Sequence, residues 1–163
     1  LSRPTKTQYY LDIAGVVAER SSCSRRKFGA IIVKDDMIIS SGYNGSARGT
    51  HNCGTEEMPC LKDLENEEHS TSYNFCPAVH AEQNAIIQAD PIRRWGATMY
   101  LSPAGDAKGD SPCFMCRRFI IQSGIKEIYY LDKERKITLE NVSAWIKMEN
   151  LWMEVIRDRK NNV

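Results

Sequence analysis

No apolar run in the 163 residues approaches the length of roughly 18 to 20 that crosses a bilayer, and stretches such as Ala30 to Val33 have only the length of a strand. Charge of one sign is missing too. Lys and Arg total 22 against 21 for Asp and Glu, a net of +1, which is too balanced to point to a nucleic-acid or membrane surface on charge alone. Leu1-Ser2-Arg3-Pro4 is not a basic region followed by an apolar stretch, so nothing signals export and a cytoplasmic setting is expected. The first residue is not Met, which fits a numbering from which the first residues are missing. Repeats and low-complexity segments are absent. A chain of this length buries about 70% of its unfolded surface on folding, so a single domain over 1–163 needs no disulfide framework. The six cysteines are therefore the residues to explain, because in a reducing compartment thiols serve metals or catalysis more often than disulfides.

Apolar residues at Tyr10, Ile13, Ala14, Val17 and Ala18 recur at helical spacing, and Thr5 with Gln8 is placed like a capping box, which predicts a helix from Thr5 to about Ser22. Phe28 to Val33 and Met37 to Ser41 read as a hairpin turning at Lys34-Asp35-Asp36. From Tyr43 to Val79 the chain is polar, holds three cysteines and reads as a long irregular insertion of the kind that is functional or disordered. His80 to Asp90 reads as a helix stopped by Pro91, and Ala97 to Leu101 as a strand. Cys113 to Ser123 follows as a helix with Gly124 beyond its end, then Glu127 to Leu131 as a strand. Ile137 to Met148 is expected to be helical, with Leu151 to Ile156 a short strand or a second helix. This order implies an α/β fold with a mixed sheet and helices on both faces.

His80-Ala81-Glu82 and Pro112-Cys113-Phe114-Met115-Cys116 both fall at predicted helix starts. Cys113 and Cys116 share one side of a first helical turn, where free N–H groups and the helix dipole favour thiolates. His80 and Glu82 can address one site only off the helix end, so the two helix ends should face each other. One imidazole and two thiolates supply three ligands to a tetrahedral zinc and leave a fourth position for water, as a catalytic site requires. Glu82, a carboxylate that does not bind the metal, is then placed to take the water's proton and pass it on. Cys-x-x-Cys alone is more often a structural zinc or a redox pair. Joined to His-x-Glu, it is the signature of zinc nucleobase deaminases.

The chain resembles the cytidine and deoxycytidylate deaminase superfamily, and most closely the deoxycytidylate (dCMP) deaminases, from about Cys23 to Leu131. The likeness lies in Phe28-Gly29-Ala30, Gly42-Tyr43-Asn44-Gly45, His80 to Ile86, the cysteine pair, Gly124-Ile125-Lys126 and a cysteine four residues before His80. The resemblance implies a three-layer α/β/α cytidine-deaminase-like fold, hydrolytic conversion of dCMP to dUMP with release of ammonia, and a homo-oligomer, often a hexamer. It implies His80, Cys113 and Cys116 as zinc ligands, Asn44 at the sugar, the Ala81 N–H at the pyrimidine carbonyl and Phe28 against the base. Arg25 and Arg26 precede the first strand, where a phosphate needs cations, although a solvated basic run reads the same way. The resemblance also implies a regulatory nucleotide site at Gly42, Tyr43, Asn44 and Gly45, with dCTP as activator, dTTP as inhibitor and Mg2+ accompanying the effector.

Two departures stand against the family pattern. Ser102 to Ser111 inserts a loop ahead of Pro112, and the chain after Asp132 carries no family motif. The cysteines outside the catalytic pair, Cys23, Cys53, Cys60 and Cys76, are expected to hold a second, structural zinc that orders the polar insertion, with His69 a rival to Cys60. Reduced, unclustered thiols are the alternative. Two other functions compete: deamination of another nucleoside, nucleotide or nucleic-acid base, and a non-catalytic zinc-stabilised nucleic-acid-binding module. Near-neutral charge weighs against a nucleic-acid base as substrate, and Glu82 against the second, since a structural site has no use for an unligated carboxylate.

Overall fold

A computed structural model describes residues 2–64 and 76–161. Along the chain run α1 (Lys6–Ala18), β1 (Phe28–Lys34), β2 (Met37–Tyr43), β3 (Gly45–Ser46), α2 (Leu61–Leu64), β4 (Ala78–Val79), α3 (Ala81–Gln88), β5 (Thr98–Pro103), α4 (Phe114–Ser123), β6 (Glu127–Leu131), β7 (Ile137–Asn141) and α5 (Val142–Asn161). Successive residues of a strand face opposite sides, and β1 is apolar at every one of its central positions. Ala30 and Ile32 enter one apolar cluster while Ile31 and Val33 enter another. The strand is thus covered on both faces. α1 covers one face, packing Tyr10, Leu11 and Ala14 against Ile31, Val33, Tyr100 and Leu131. The opposite face buries Ala81, Ala85 and Ile86 of α3, Ile120 of α4 and Val142 and Trp145 of α5. This is the three-layer α/β/α arrangement expected from the sequence.

The main sheet has the order β2-β1-β5-β6-β7. β1 is antiparallel to β2 and β5, β5 is parallel to β6, and β6 is antiparallel to β7. The β1–β2 turn is carried by Asp35 (φ 49°) and Asp36 (φ 63°), the two left-handed residues that a tight hairpin demands. Tyr10 donates to Asp36 Oδ1 at 2.7 Å and ties α1 to this turn. Thr5 caps α1 by accepting from the Gln8 N–H at 3.2 Å, and the helix stops at Ala18, four residues short of the expected end. Gly124, at φ 77°, closes α4 as expected.

The tail corrects the sequence reading. Ile137–Asn141 is a strand and not the first half of a helix, and α5 then runs unbroken through Leu151. Residues 137–141 pair with β6 from Leu131↔Ile137 to Glu127↔Asn141, which satisfies an edge that would otherwise expose its N–H and C=O groups. Sheet pairing overrides a local helical pattern here. From Leu151 to Lys160 α5 is exposed, and among the described residues no helix is long and apolar enough to cross a membrane. The polar insertion contains β3, α2 and β4, with β3 and β4 pairing as Gly45↔Val79 and Ser46↔Ala78.

Gly42 of β2 sets how closely α3 approaches the sheet. A Cβ there would lie 2.3 Å from the Ala85 nitrogen and 2.5 Å from the Ala81 oxygen, both backbone atoms that cannot swing aside. Gly42→Ala should therefore destabilise the fold by about 3 kcal/mol in urea unfolding. An unchanged midpoint would mean that α3 does not sit where this contact places it.

Candidate metal and catalytic site

α3 and α4 lie on the same face of the sheet, one leading into β5 and the other leading from β5 to β6. Both begin at one end of the sheet, where the groups that cap their first turns meet. His80 is the N-cap of α3 and Cys113 the N-cap of α4, each with extended backbone (ψ 158° and 163°). The His80 N–H donates to Gln83 Oε1 at 3.0 Å, which fixes the entry into α3. The Cys116 N–H points at Cys113 Sγ at 3.5 Å, so α4 delivers an amide to that sulfur as the helix-start reading expects.

His80 Nδ1 lies 3.6 Å from Cys113 Sγ and 3.4 Å from Cys116 Sγ. The three ligand atoms fall within 4.8 Å of one another, and they form the one such metal-binding group among the described residues. Zinc–sulfur and zinc–nitrogen bonds of about 2.3 and 2.0 Å at tetrahedral angles give ligand–ligand edges of roughly 3.5 Å. The two observed N–S edges match that figure, so the donor set fits zinc in both type and spacing.

The protonation pattern suits a cation as well. The Cys116 side chain hydrogen-bonds Cys113 and holds that thiol well below its ordinary pKa, with His80 adding to the effect against the opposing influence of burial. Cys116 is pushed upward for the reciprocal reason, since it keeps the shared proton. A bound dication displaces that proton, because a coordinating thiol is deprotonated. His80 is raised, chiefly by its hydrogen bond with Cys113. Glu82 is 5% exposed, and burial raises its pKa above the usual carboxylate range. Its charge adds to the upward push on the Cys116 thiol, which puts it beside the three ligands as the His-x-Glu spacing requires.

The other candidates gather around this centre in different ways. Ala81 is fully buried at the first position of α3, where a helix N–H has no carbonyl within its own helix to bond. Phe28 opens β1, half-buried against the apolar cluster and under the Arg26 guanidinium at 4.9 Å. The Asn44 amide spans the backbone: it donates to the Arg26 carbonyl at 2.8 Å and accepts from the Phe28 N–H at 2.7 Å. Arg25 pairs with Asp63 at 3.1 Å, and Arg26 with Asp110 at 3.1 Å and with the Lys108 and Gly109 carbonyls at 3.4 Å. The inserted loop before Pro112 is thereby strapped to the start of β1. Lys62 was not singled out from the sequence: it is 7% exposed, and its charge opposes protonation of His80. Nothing in its sequence context distinguishes it from a surface lysine.

Cys23, Cys53, Cys60 and Cys76 are all free and do not form a compact ligand group. Their segments do converge. Ser22 hydrogen-bonds Asn52 at 3.2 Å, Gly54 abuts Ser24, and Arg25 pairs with Asp63 of α2. The Cys53 N–H donates to Ser46 Oγ at 3.2 Å, and Ser46 pairs with Ala78, two residues from Cys76. His69 lies outside the described residues.

Residues 4–132 match the family described as the cytidine and deoxycytidylate deaminase zinc-binding region. The chain is 36% identical over 135 residues to the deoxycytidylate deaminase of Mycobacterium phage D29, covering 80% of this chain and 97% of that one. It is 31% identical over 153 residues to the deoxycytidylate deaminase of Saccharomyces cerevisiae, covering 90% of this chain and 46% of the yeast protein. Among solved structures it is similar to the dCMP deaminase of cyanophage S-TIM5 in complex with dCMP and dUMP, at 31% identity and a TM-score of 0.56, covering 80% of this chain and 83% of that one. A His/Cys/Cys group with zinc spacing, a buried glutamate beside it and a family match across both motifs place this chain in the cytidine and deoxycytidylate deaminase family.

Proposed function

We propose that the chain hydrolyses dCMP to dUMP and ammonia, with zinc held by His80, Cys113 and Cys116 and with Glu82 as the proton carrier. The observation that carries this reading is the buried Glu82 carboxyl beside three ligand atoms at tetrahedral spacing. Bound zinc supplies the Lewis acidity that makes a hydroxide nucleophile available near neutral pH. Glu82 accepts the proton that water gives up, and burial, by raising its pKa, keeps it able to hold that proton and return it. It passes that first proton to the ring nitrogen next to C4 as the C4–O bond forms, then takes the second proton from the new C4 hydroxyl and gives it to the departing amino group, so that the C4–N bond breaks, the carbonyl forms and ammonia leaves. The Ala81 N–H at the start of α3 meets the pyrimidine carbonyl, Phe28 packs on the base and Asn44 meets the sugar. Arg26, whose guanidinium lies over Phe28, offers the phosphate a cation now shared with Asp110.

We further propose that Cys23, Cys53, Cys60 and Cys76 take up a structural zinc. Convergence of their four segments supports this, as does the scarcity of apolar side chains able to order the insertion. Regulation by nucleoside triphosphate with Mg2+ is read at Gly42 to Gly45 because that turn is coupled to the catalytic helix. Asn84 of α3 donates to the Tyr43 carbonyl at 2.8 Å, and Gly42 touches the α3 backbone.

Ammonia release should be fastest on dCMP when assayed beside CMP, deoxycytidine, dCTP and a tRNA anticodon stem, and Arg26→Gln should narrow the gap between dCMP and deoxycytidine. Glu82→Gln should lose at least about 10²-fold in turnover with zinc still bound. Equal kcat/KM for dCMP and deoxycytidine would refute the phosphate site, and near-normal turnover by Glu82→Gln the proton carrier. Metal analysis should find two zinc ions per chain at about 1:1 per site, with Cys53→Ser or Cys76→Ser losing one. A folded wild type with a single zinc and four titrating thiols excludes the second site. With Mg2+ present, dCTP should lower the dCMP concentration needed for half-maximal rate and dTTP should oppose it. An unmoved saturation curve with either nucleotide removes the effector role.

A further inference from the structure

Cys113 has a peptide group on each side, and one residue holds both. The Arg117 N–H bonds the Cys113 carbonyl at 2.9 Å, and Arg117 Nε donates to the Pro112 carbonyl at 3.1 Å. The first is an ordinary helical bond. The second is not, because Pro112 precedes the N-cap of α4 and helix geometry gives its carbonyl no partner. Together they fix the two planes whose rotation would swing the Cys113 sulfur.

The guanidinium is itself fixed from the far side. Arg117 Nη2 lies 3.7 Å from Glu140 Oε2, and its carbon stands 5.0 Å over the Trp145 ring and 5.9 Å over that of Phe114. Glu140 is held in turn: Tyr130 donates to Oε1 at 2.5 Å, and Trp145 Nε1 donates to Oε2. The Tyr130 hydroxyl is raised well above the ordinary tyrosine value, by burial and by this hydrogen bond, so it remains a donor. Arg117 and Glu140 are each about a quarter exposed or less, where an ion pair is worth more than at an open surface. Glu140 lies in β7 and Trp145 in α5, both beyond residue 132, where the family match ends. A segment without family motifs thus supplies the anchor for a residue that grips the cysteine loop.

We propose that Arg117 and Glu140 are positioning residues for the metal site, through which β7 and α5 hold Cys113 at its tetrahedral spacing from His80. This rests on the reading of His80, Cys113 and Cys116 as zinc ligands. Groups that orient a metal ligand without touching the metal typically contribute 10- to 100-fold in metal affinity or activity. Neither the Cys-x-x-Cys motif nor the helical period reveals this role, since Arg117 reads as an ordinary polar position of α4 and Glu140 as one position of the helix expected over Ile137 to Met148.

The test is release of zinc into a chromophoric chelator, read beside kcat and KM for dCMP, in Arg117→Ala, Arg117→Lys and Glu140→Gln, with His80→Ala as reference. His80→Ala should lose one zinc outright. Arg117→Ala should release that same zinc at least about 10-fold faster and lose kcat with KM within about twofold of wild type. Arg117→Lys keeps the charge over Trp145 without the Nε donor and should fail to rescue, while Glu140→Gln should fall between. If Arg117→Ala does not fold, the Arg117→Lys and Glu140→Gln pair decides. Folded variants whose zinc release and kcat stay within about twofold of wild type, against a His80→Ala that has lost its zinc, overturn the positioning role alone. A His80→Ala protein with as much zinc as wild type overturns the metal-site reading and the positioning role with it.

Discussion

The meeting of two helix N-termini at one end of a parallel strand pair is the constraint on which the rest depends. β5 and β6 run parallel, so the chain between them must cross over, and it returns as α4 on the face that α3 already covers. Helices that run back along parallel strands start at the strands' C-terminal end, which is where α/β sheets carry their ligands. His80 and Cys113 are the N-caps of those helices, so the backbone places the imidazole and the thiolate before any side-chain choice is made. A soft donor pair at a helix start, with a buried carboxyl in the first turn of the facing helix, is then chemically suited to zinc and to moving a proton.

The supporting structure converges on keeping those two helix ends in register. Gly42 lets α3 lie directly on β2, Ser40 donates to the Ala85 carbonyl at 2.8 Å, and Gln88 donates to the Ser41 carbonyl at 3.0 Å. α4 is held from the opposite side by the Arg117–Glu140 contact and by the Arg118–Glu149 pair at 3.5 Å. The entry to β1 is tied through Asn44 and Arg26 to the turn after β2 and to the inserted loop. Each tie is modest alone. Together they fix distances that a ligand set needs to within a few tenths of an ångström.

The candidate metal site was legible in the sequence because its residues are few, chemically distinctive and set at the starts of periodic segments. His80, Glu82, Cys113 and Cys116 needed no tertiary information beyond the inference that two helix ends face each other. The apolar run of β1 and the hairpin that turns at Asp35-Asp36 were legible for the same local reason. Ile137 to Asn141 was not, because its pattern serves either a helix or a strand and only the open edge of β6 decides. Lys62 is buried by a polar insertion that has no period to read, and Arg117 gains its role from Glu140, far along the chain in β7. What escaped was set by long-range pairing.

The central claim is that the facing helix starts hold a zinc ion. It is tested most directly by a crystal structure of the purified protein with anomalous diffraction recorded on both sides of the zinc absorption edge. The expected result is an anomalous peak about 2.0 Å from His80 Nδ1 and about 2.3 Å from each of the Cys113 and Cys116 sulfurs, with Glu82 beside it and not bound to it. No peak between those three atoms, or a Cys113–Cys116 disulfide in its place, would contradict the account.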